Sequence, residues 1–246
     1  MKTAIIIGGT KGIGLELTKF FLNNNYNVSI GAREIPKKIN DFKNLISFKG
    51  DFSKESSHLK LINKTLKKYK KIDVYINNVG LSDWKPIKEV DKKFLDKMIL
   101  NNFYSAVWGC KTASRHMKKG SSIINVSSIA GKRGSKNNSI YSSSKFAING
   151  LTQSLAKELG NKGIRVNSVC PVLIKTPGLI KALKTSHSPA KKDINIFLKE
   201  FSYNNSALNR LPTALEVAKL CYFLSSEDAS AITGQNINID CGVFPQ

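Results

Sequence analysis

AIIIGGTKGIG, residues 4–14, joins a short apolar run to a glycine-rich turn. The apolar residues before Gly8 are typical of a buried strand, and the pattern after Gly12 is typical of a helix. Gly8, Gly12 and Gly14 allow a tight turn in which a pyrophosphate can meet the amides of the next helix. The spacing is G-x-x-x-G-x-G rather than G-x-G-x-x-G, so the position between a strand and a helix carries the argument. The stretch predicts a dinucleotide site.

The rest of the chain alternates short apolar runs with helix-length amphipathic segments. We predict strands at residues 4–8, 27–30, 45–48, 73–77, 122–127, 165–171 and 236–240. We predict helices near residues 12–24, 54–70, 91–118, 141–160 and 214–225. Apolar strands separated by helices indicate right-handed βαβ units. The pattern therefore predicts a single α/β domain over residues 1–246, a doubly wound, Rossmann-like seven-stranded parallel sheet with helices on both faces.

Residues 177–212 interrupt this alternation. The segment shows no clear strand pattern and carries Pro177, Pro189 and Pro212. Folds of this class place substrate-binding lids in long segments that follow the carboxyl end of a strand. We therefore predict that residues 177–212 form a substrate-binding lid within the domain.

Charge and composition limit the class of protein. The chain has 246 residues, 41% of them apolar, and 39 Lys and Arg against 17 Asp and Glu give a net charge of +22. The basic clusters are scattered rather than gathered into one arm. We therefore expect a lysine-rich solvated surface and no nucleic-acid binding, with attraction of acidic partners as the alternative.

The cysteines and histidines indicate neither a disulfide framework nor a metal site. The four cysteines lie far apart without a C-x-x-C pair, and the three histidines show no metal-ligand spacing. The first residues contain too short an apolar run for a signal peptide, and no later run approaches a membrane span. We expect a cytoplasmic protein with reduced thiols, no metal and no membrane partner.

The end of the second predicted strand bears on the choice of cofactor. NAD-selective sites of this fold usually place an acidic residue there to bind the ribose 2′-hydroxyl. Ala32 occupies that place, Arg33 follows it, and Lys11 lies inside the glycine turn. Two cations near the adenosine ribose suit a 2′-phosphate. We therefore predict NADP(H), and a surface arginine without a ligand is the alternative.

Tyr141 lies one helical turn before Lys145 in SIYSSSKFAING, residues 139–150. Side chains at positions i and i+4 of a helix share a face, and a neighbouring ammonium lowers the pKa of a phenol. Such a tyrosine is suited to general acid/base chemistry. In a chain this rich in lysine, one Tyr-x-x-x-Lys pair is about what chance would give, so the pair needs support from elsewhere.

That support comes from a resemblance that covers essentially the whole chain. The sequence resembles the short-chain dehydrogenase/reductase family, a resemblance based on the order and spacing of several motifs. The motifs are GGTKGIG (8–14), NNVG (77–80), INVSSIAG (124–131), YSSSK (141–145), CPVLIKT (170–176) and ITGQNINIDCG (232–242).

The resemblance implies a catalytic role for four residues. Tyr141 would donate a proton to a carbonyl oxygen as hydride arrives from the nicotinamide. Ser128, thirteen positions earlier, would hydrogen-bond that oxygen. Lys145 would hold the nicotinamide ribose and lower the pKa of Tyr141. Asn102 would orient a proton-relay water, with Asn101 as the alternative.

The resemblance also implies a set of cofactor-binding residues. Asp51 and the Phe52 backbone would contact the adenine, Asn78 and Gly80 the adenosine ribose, and Ile174 and Thr176 the carboxamide. The complete predicted set is Gly8, Thr10, Lys11, Gly12, Ile13, Gly14, Arg33, Asp51, Phe52, Asn78, Val79, Gly80, Tyr141, Lys145, Ile174 and Thr176.

The substrate and partners stay open between several readings. The resemblance favours reduction of a 3-oxoacyl thioester carried by an acidic acyl carrier protein, docked on Lys119 and Lys162 beside the active-site mouth. The long lid favours a small free ketone, sugar or polyol instead. A non-catalytic dinucleotide sensor is a more remote alternative. The family also implies a homo-oligomer, by analogy a tetramer.

Overall fold

Seven parallel strands form one sheet in the computed structural model, which describes residues 1–37, 39, 42–191 and 193–245. The strands are β1 (Thr3–Ile7), β2 (Asn27–Ala32), β3 (Leu45–Lys49), β4 (Val74–Asn77), β5 (Ser122–Val126), β6 (Arg165–Pro171) and β7 (Asn236–Ile239). Their order across the sheet is β3-β2-β1-β4-β5-β6-β7. The predicted doubly wound parallel sheet is confirmed, and each predicted strand overlaps an observed one.

Helices cover both faces of this sheet. They are α1 (Gly12–Asn23), α2 (Glu55–Tyr69), α3 (Lys92–Ile99), α4 (Ser105–Ser114), α5 (Ser139–Gly160), α6 (Pro177–Leu183), α7 (Ile194–Asn205) and α8 (Ala214–Ser225). In β1, Ala4 and Ile6 point to the face that α1 and α8 cover. Ile5 and Ile7 point to the face of α2, α4 and α5. Because side chains alternate along a strand and both faces are buried, the strand has to be apolar throughout.

The helix predicted over residues 91–118 is the clearest difference from the expected elements. Two helices, α3 and α4, are joined by a π-helical turn at Leu100–Tyr104, and α4 ends at Ser114. A π turn inserts one extra residue into the helical repeat. The inserted residue shifts the apolar positions of α4 relative to those of α3, a shift that the prediction of one continuous helix does not include.

The segment at residues 177–212 holds two helices and, in its described part, no strand. Thr176 caps α6 by accepting a hydrogen bond from the Leu179 amide, and Asp193 caps α7 in the same way. Buried Leu183 and Leu198 pack with Trp84 in a separate apolar cluster. The two helices therefore cover the carboxyl end of the sheet near β4, and their role as a substrate lid stays a prediction.

The structure also bears on the thiols, on possible metal ligands and on membrane-crossing helices. All four cysteines are free, and Cys110, Cys170 and Cys221 are buried. Within the described ranges, no group of histidine, cysteine and carboxylate side chains is arranged to hold a metal ion. Nor does any helix there combine the length and apolar character needed to cross a membrane.

Candidate active site

A cleft of about 770 Å³ opens at the carboxyl ends of the central strands. Residues that follow β1, β2, β4, β5 and β6 line it. β1 and β4 are neighbours in the sheet, and from them the strand order runs outward in opposite directions. Open parallel sheets bind ligands at such a switch point, where the connecting loops separate. The cleft is therefore the candidate site, and α6 and α7 form one of its walls.

The turn between β1 and α1 requires glycine at two positions. Gly8 has a φ of +80°, and a Cβ added to Gly14 would lie 1.9 Å from the Gly8 carbonyl oxygen. The Thr18 hydroxyl donates hydrogen bonds to the Gly9 and Gly14 carbonyls and so fixes the turn from below. The first amides of α1 are thereby presented towards the cleft, which Lys11 and Ile13 line directly.

The loop after β4 crosses close above this turn. Asn78 donates a hydrogen bond from Nδ2 to the Gly8 carbonyl at 3.2 Å. A Cβ added to Gly80 would lie 3.3 Å from Lys145 Nζ and 3.4 Å from Asn102 Oδ1. Asn78 and Gly80 line the cleft, and Gly80 brings the backbone close to two predicted catalytic residues.

Ser128, Tyr141 and Lys145 meet at one end of the cleft. Ser128 follows β5 in extended conformation, and its hydroxyl accepts a hydrogen bond from the Ala130 amide. Tyr141 and Lys145 lie one turn apart near the start of α5, with Lys145 Nζ 5.8 Å from the centre of the Tyr141 ring. All three side chains line the cleft, as expected from the sequence.

Lys145 is a buried cation with few partners. Its side chain is 3% exposed, and Nζ donates a hydrogen bond to the Val126 carbonyl at 2.9 Å. Burial lowers the pKa of this ammonium to about 8. The Val126 carbonyl is the one hydrogen-bond acceptor found for Nζ among the described residues, so two of its three N–H groups have no protein acceptor there, and the residue lines the cleft.

The expected lowering of the Tyr141 pKa is not found. Burial raises the pKa of this phenol above its usual value, and the hydrogen bond with Ser128 opposes the rise only in part. The prediction considered the charge of Lys145 but neglected desolvation, which acts on the phenolate in the opposite direction. In this site the neutral, proton-donating phenol is therefore the favoured form.

The two candidate asparagines occupy different positions relative to the cleft. Asn102, in the π-helical turn, is buried and does not line the cleft. Its amide accepts a hydrogen bond from the Leu81 amide and donates to the Leu81 carbonyl and to Ser144 Oγ. Asn101 lines the cleft. Asn102 thus holds the loop after Gly80 in place, and its relay role stays a prediction.

At the opposite end of the cleft lie the two predicted phosphate cations. Lys11 and Arg33 both line it, following β1 and β2. Asp51 lies near Arg33. Burial pushes the pKa of the Asp51 carboxyl upwards, but hydrogen bonds from Ser53 and the charges of Lys54 and Arg33 outweigh it, and the pKa is lowered. The carboxylate therefore stays ionised beside Arg33.

Some of the remaining predicted cofactor residues line the cleft, and others do not. Ile174 and Thr176 line it after β6. The buried Phe52 ring packs beneath Gly31, and its carbonyl hydrogen-bonds His58 Nε2. The predicted residues that the cleft walls do not include are Gly8, Thr10, Gly12, Gly14, Asp51, Phe52, Val79 and Asn102.

Sequence reasoning missed most of the other half of the cleft. Its walls there come from Trp84, from the segment 133–138 and from lid residues such as Leu179 and Phe197. The lid had been predicted as a segment, whereas Trp84 and the segment 133–138 had not. Phe201 also lines the cleft, whereas Tyr203 is exposed. Trp84 and the segment 133–138 follow the carboxyl ends of β4 and β5, and that position was the signal available for predicting them.

The predicted carrier-docking lysines lie away from the cleft in this chain. Lys119 precedes β5 and Lys162 precedes β6, and their loops meet where the Gly120 amide donates to the Gly163 carbonyl. Ser128 and Pro171 stand at the other ends of the same strands. A five-residue strand spans about 16 Å, so the expectation that these lysines flank the mouth is wrong for one chain.

Comparison with known proteins agrees with this architecture. A family model described as enoyl-(acyl carrier protein) reductase matches residues 8–244. The (S)-acetoin-forming diacetyl reductase of Staphylococcus epidermidis is 31% identical over 256 residues, which cover 98% of each chain. The 3-oxoacyl-(acyl-carrier-protein) reductase FabG of Chlamydia trachomatis is 32% identical over 252 residues, covering 98% of this chain and 97% of that one.

A solved structure, ElxO with NADP bound, superposes with a TM-score of 0.86. It is 34% identical, and the match covers 98% of both chains. Sheet order, site geometry and similarity over nearly the full length all lead to one assignment. The chain belongs to the short-chain dehydrogenase/reductase family and is an oxidoreductase that acts on carbonyl or alcohol groups.

Proposed function

We propose that the protein is an NADPH-dependent carbonyl reductase. The observation that carries the proposal is one cleft with Ser128, Tyr141 and Lys145 at one end and Lys11 and Arg33 at the other. The first group suits proton donation to a carbonyl oxygen, and the second suits a phosphate on the adenosine ribose. A dinucleotide would reach from one group to the other.

The chain's residues fit such a cofactor. Lys145 is buried with one protein acceptor, the Val126 carbonyl, so ribose hydroxyls would satisfy its remaining N–H groups. The tight turn at Gly8 and Gly14 leaves the α1 amides open to a pyrophosphate. Asn78 and Gly80 would lie along the adenosine side, and Ile174 and Thr176 beside the nicotinamide.

In this mechanism NADPH, when bound, would supply the hydride, and side chains of the protein supply the proton. Tyr141 donates its hydroxyl proton to the carbonyl oxygen, and Ser128 donates a hydrogen bond to the same atom. Lys145 holds the cofactor ribose, and its charge stabilises the phenolate left on Tyr141. Burial raises the pKa of Tyr141, so the phenol of the free site carries the proton that carbonyl reduction requires.

For the substrate we propose a 3-oxoacyl thioester, with a small free ketone, sugar or polyol as the second candidate. The FabG relative supports the first, and an acidic carrier would be attracted by the +22 net charge of this chain. The second is supported by α6 and α7, whose apolar side chains pack with Trp84 and line the cleft. The diacetyl reductase relative acts on a small molecule by its name.

We also propose that the protein works as a homo-oligomer. Large apolar side chains stay exposed along the α3 to α5 region, namely Leu95, Leu100, Tyr104 and Phe146. Such side chains gathered in one region of the surface are typical of an interface between subunits. Whether the assembly is the tetramer implied by the family, and whether it resides in the cytoplasm, stay expectations.

Tyr141→Phe tests the proton donor. Removing the hydroxyl should lower kcat by about 10²- to 10⁴-fold and leave NADPH affinity within a few-fold. Lys145→Ala should damage both quantities, because Lys145 contacts the cofactor and stabilises the phenolate. Turnover is followed by NADPH absorbance and affinity by fluorescence titration. Tyr203→Phe, on an exposed lid tyrosine, is the matched control, and near-normal turnover by Tyr141→Phe would contradict the assignment.

Arg33→Ala tests the choice of cofactor. A charged hydrogen bond to the 2′-phosphate is worth roughly ten- to hundredfold in affinity. We expect the variant to bind NADPH more weakly by that factor while its NADH affinity changes little. Arg115→Ala, on an exposed arginine outside the cleft, should alter neither. The proposal fails if the unmutated protein binds NADH and NADPH equally well.

A comparison of two thioesters decides between the substrate candidates. The same 3-oxoacyl group is presented on an acidic acyl carrier protein and on a short thiol, at low and at high salt. If the carrier is a partner, it should give the higher kcat/KM at low salt, and the advantage should fade as salt screens the charges. No preference for the carrier at low salt would shift the assignment to a small free substrate.

A further inference from the structure

The substrate half of the cleft combines an apolar interior with a basic wall. Val172, Leu173, Trp84 and Phe197 supply apolar surface beside the catalytic side chains. The segment 133–138 forms the wall near Ser128, and its Arg133 and Lys136 belong to the lining. A substrate that fills this space would place its apolar part on the first group and its far end against the second.

Acidic side chains are scarce in this half of the cleft. Among the described lining residues Asp83 is the single carboxylate. It lies 3.8 Å from Lys97 Nζ, so these two lining charges compensate each other. Arg133 and Lys136 form no ion pair with a carboxylate in the part of the chain that the structure describes. Their charges therefore act on whatever enters the cleft.

Lysines in the lining are weak evidence for an anion site, because the whole chain is rich in lysine. Arginine is different, since the chain has few arginines and two of them, Arg33 and Arg133, line this one cleft. Arg33 is accounted for by the proposed 2′-phosphate contact. Arg133 lies in the other half of the cleft and has no such role.

The Arg133 side chain is held in place by the C-terminal segment. Its guanidinium carbon lies 5.2 Å from the centre of the Phe244 ring. Phe244 is itself fixed, since its amide donates to Asp240 Oδ2 at 2.8 Å and its carbonyl accepts from Asn238 Nδ2 at 2.7 Å. A guanidinium that lies over an aromatic ring makes a cation–π contact, which leaves its N–H groups available for a carboxylate or phosphate.

The geometry points to an anion subsite for the substrate, with Arg133 as its main ligand and Lys136 as a second cation. The inference rests on the proposed carbonyl reduction and narrows its substrate class. The substrate carries a carboxylate or a phosphate beyond the apolar part that follows its carbonyl group. The phosphate of a phosphopantetheine arm and the carboxylate of a small oxoacid share this chemistry.

A binding experiment tests the subsite without any turnover. Two probe pairs differ only in charge at one end: 4′-phosphopantetheine against pantetheine, and pentanoate against pentanamide. Their affinities for the full chain with NADP⁺ present are measured by calorimetry or ligand-observed NMR. We expect the anionic member of at least one pair to bind about tenfold more tightly. The pair that shows the preference identifies phosphate or carboxylate as the anion.

Variants connect that preference to Arg133. Arg133→Gln should remove most of the anionic-to-neutral affinity ratio, and Phe244→Leu should reduce it by a smaller factor through loss of the cation–π contact. Arg115→Gln removes the same charge outside the cleft and should leave the ratio unchanged. Equal binding of both members of each pair by the unmutated protein would overturn the inference. So would a ratio that Arg133→Gln leaves unchanged.

A turnover arm separates this inference from the proposed function. The kcat/KM values for 4-oxopentanoate and its methyl ester, and for 3-oxoacyl thioesters of phosphopantetheine and N-acetylcysteamine, are compared in the same variants. A drop in the anionic-to-neutral ratio with Arg133→Gln supports the subsite in catalysis. Reduction of none of the four compounds would count against the proposed function, while the binding ratios still decide the subsite.

Discussion

The buried ammonium of Lys145 is the constraint on which the active site depends. A charge that is 3% exposed is costly unless it is well bonded, and the protein offers it the Val126 carbonyl at the end of β5. Close packing fixes this position, since a Cβ on Gly131 would lie 2.7 Å from the Lys145 carbonyl oxygen. The strand end, the first turns of α5 and the loop at Gly80 thus meet around one cation, which lines the cleft.

The sequence predicts the sheet well because the relevant physics is local. Strands buried on both faces must be apolar throughout, so runs such as AIII in β1 stand out from the helices between them. The glycine turn is predicted equally well, because a Cβ at position 14 would lie 1.9 Å from the Gly8 carbonyl oxygen and only glycine fits there. Ser128, Tyr141 and Lys145 were found through family spacing, and their meeting in one cleft agrees with it.

What the sequence did not reveal depends on contacts between distant segments. The π-helical turn buries Asn102 and places Asn101 in the cleft lining, and the prediction of one continuous helix did not include it. The direction of the Tyr141 pKa shift follows from desolvation, which requires knowing what covers the phenol. Lys119 and Lys162 were placed by analogy, although the predicted parallel strands already put them at the opposite end of the sheet from Ser128. Arg133 makes its cation–π contact with Phe244, which lies more than a hundred residues later in the chain.

The pH dependence of carbonyl reduction tests the central role of Lys145 most directly. Burial lowers its pKa to about 8, so the side chain is charged below that pH and neutral above it. The kcat/KM for reduction should therefore fall as pH rises through about 8, in measurements from about pH 6 to about pH 10. In Lys145→Arg, whose guanidinium stays charged, the residual activity should lack this inflection. The same inflection in Lys145→Arg, or a flat profile in the unmutated protein, would contradict the account.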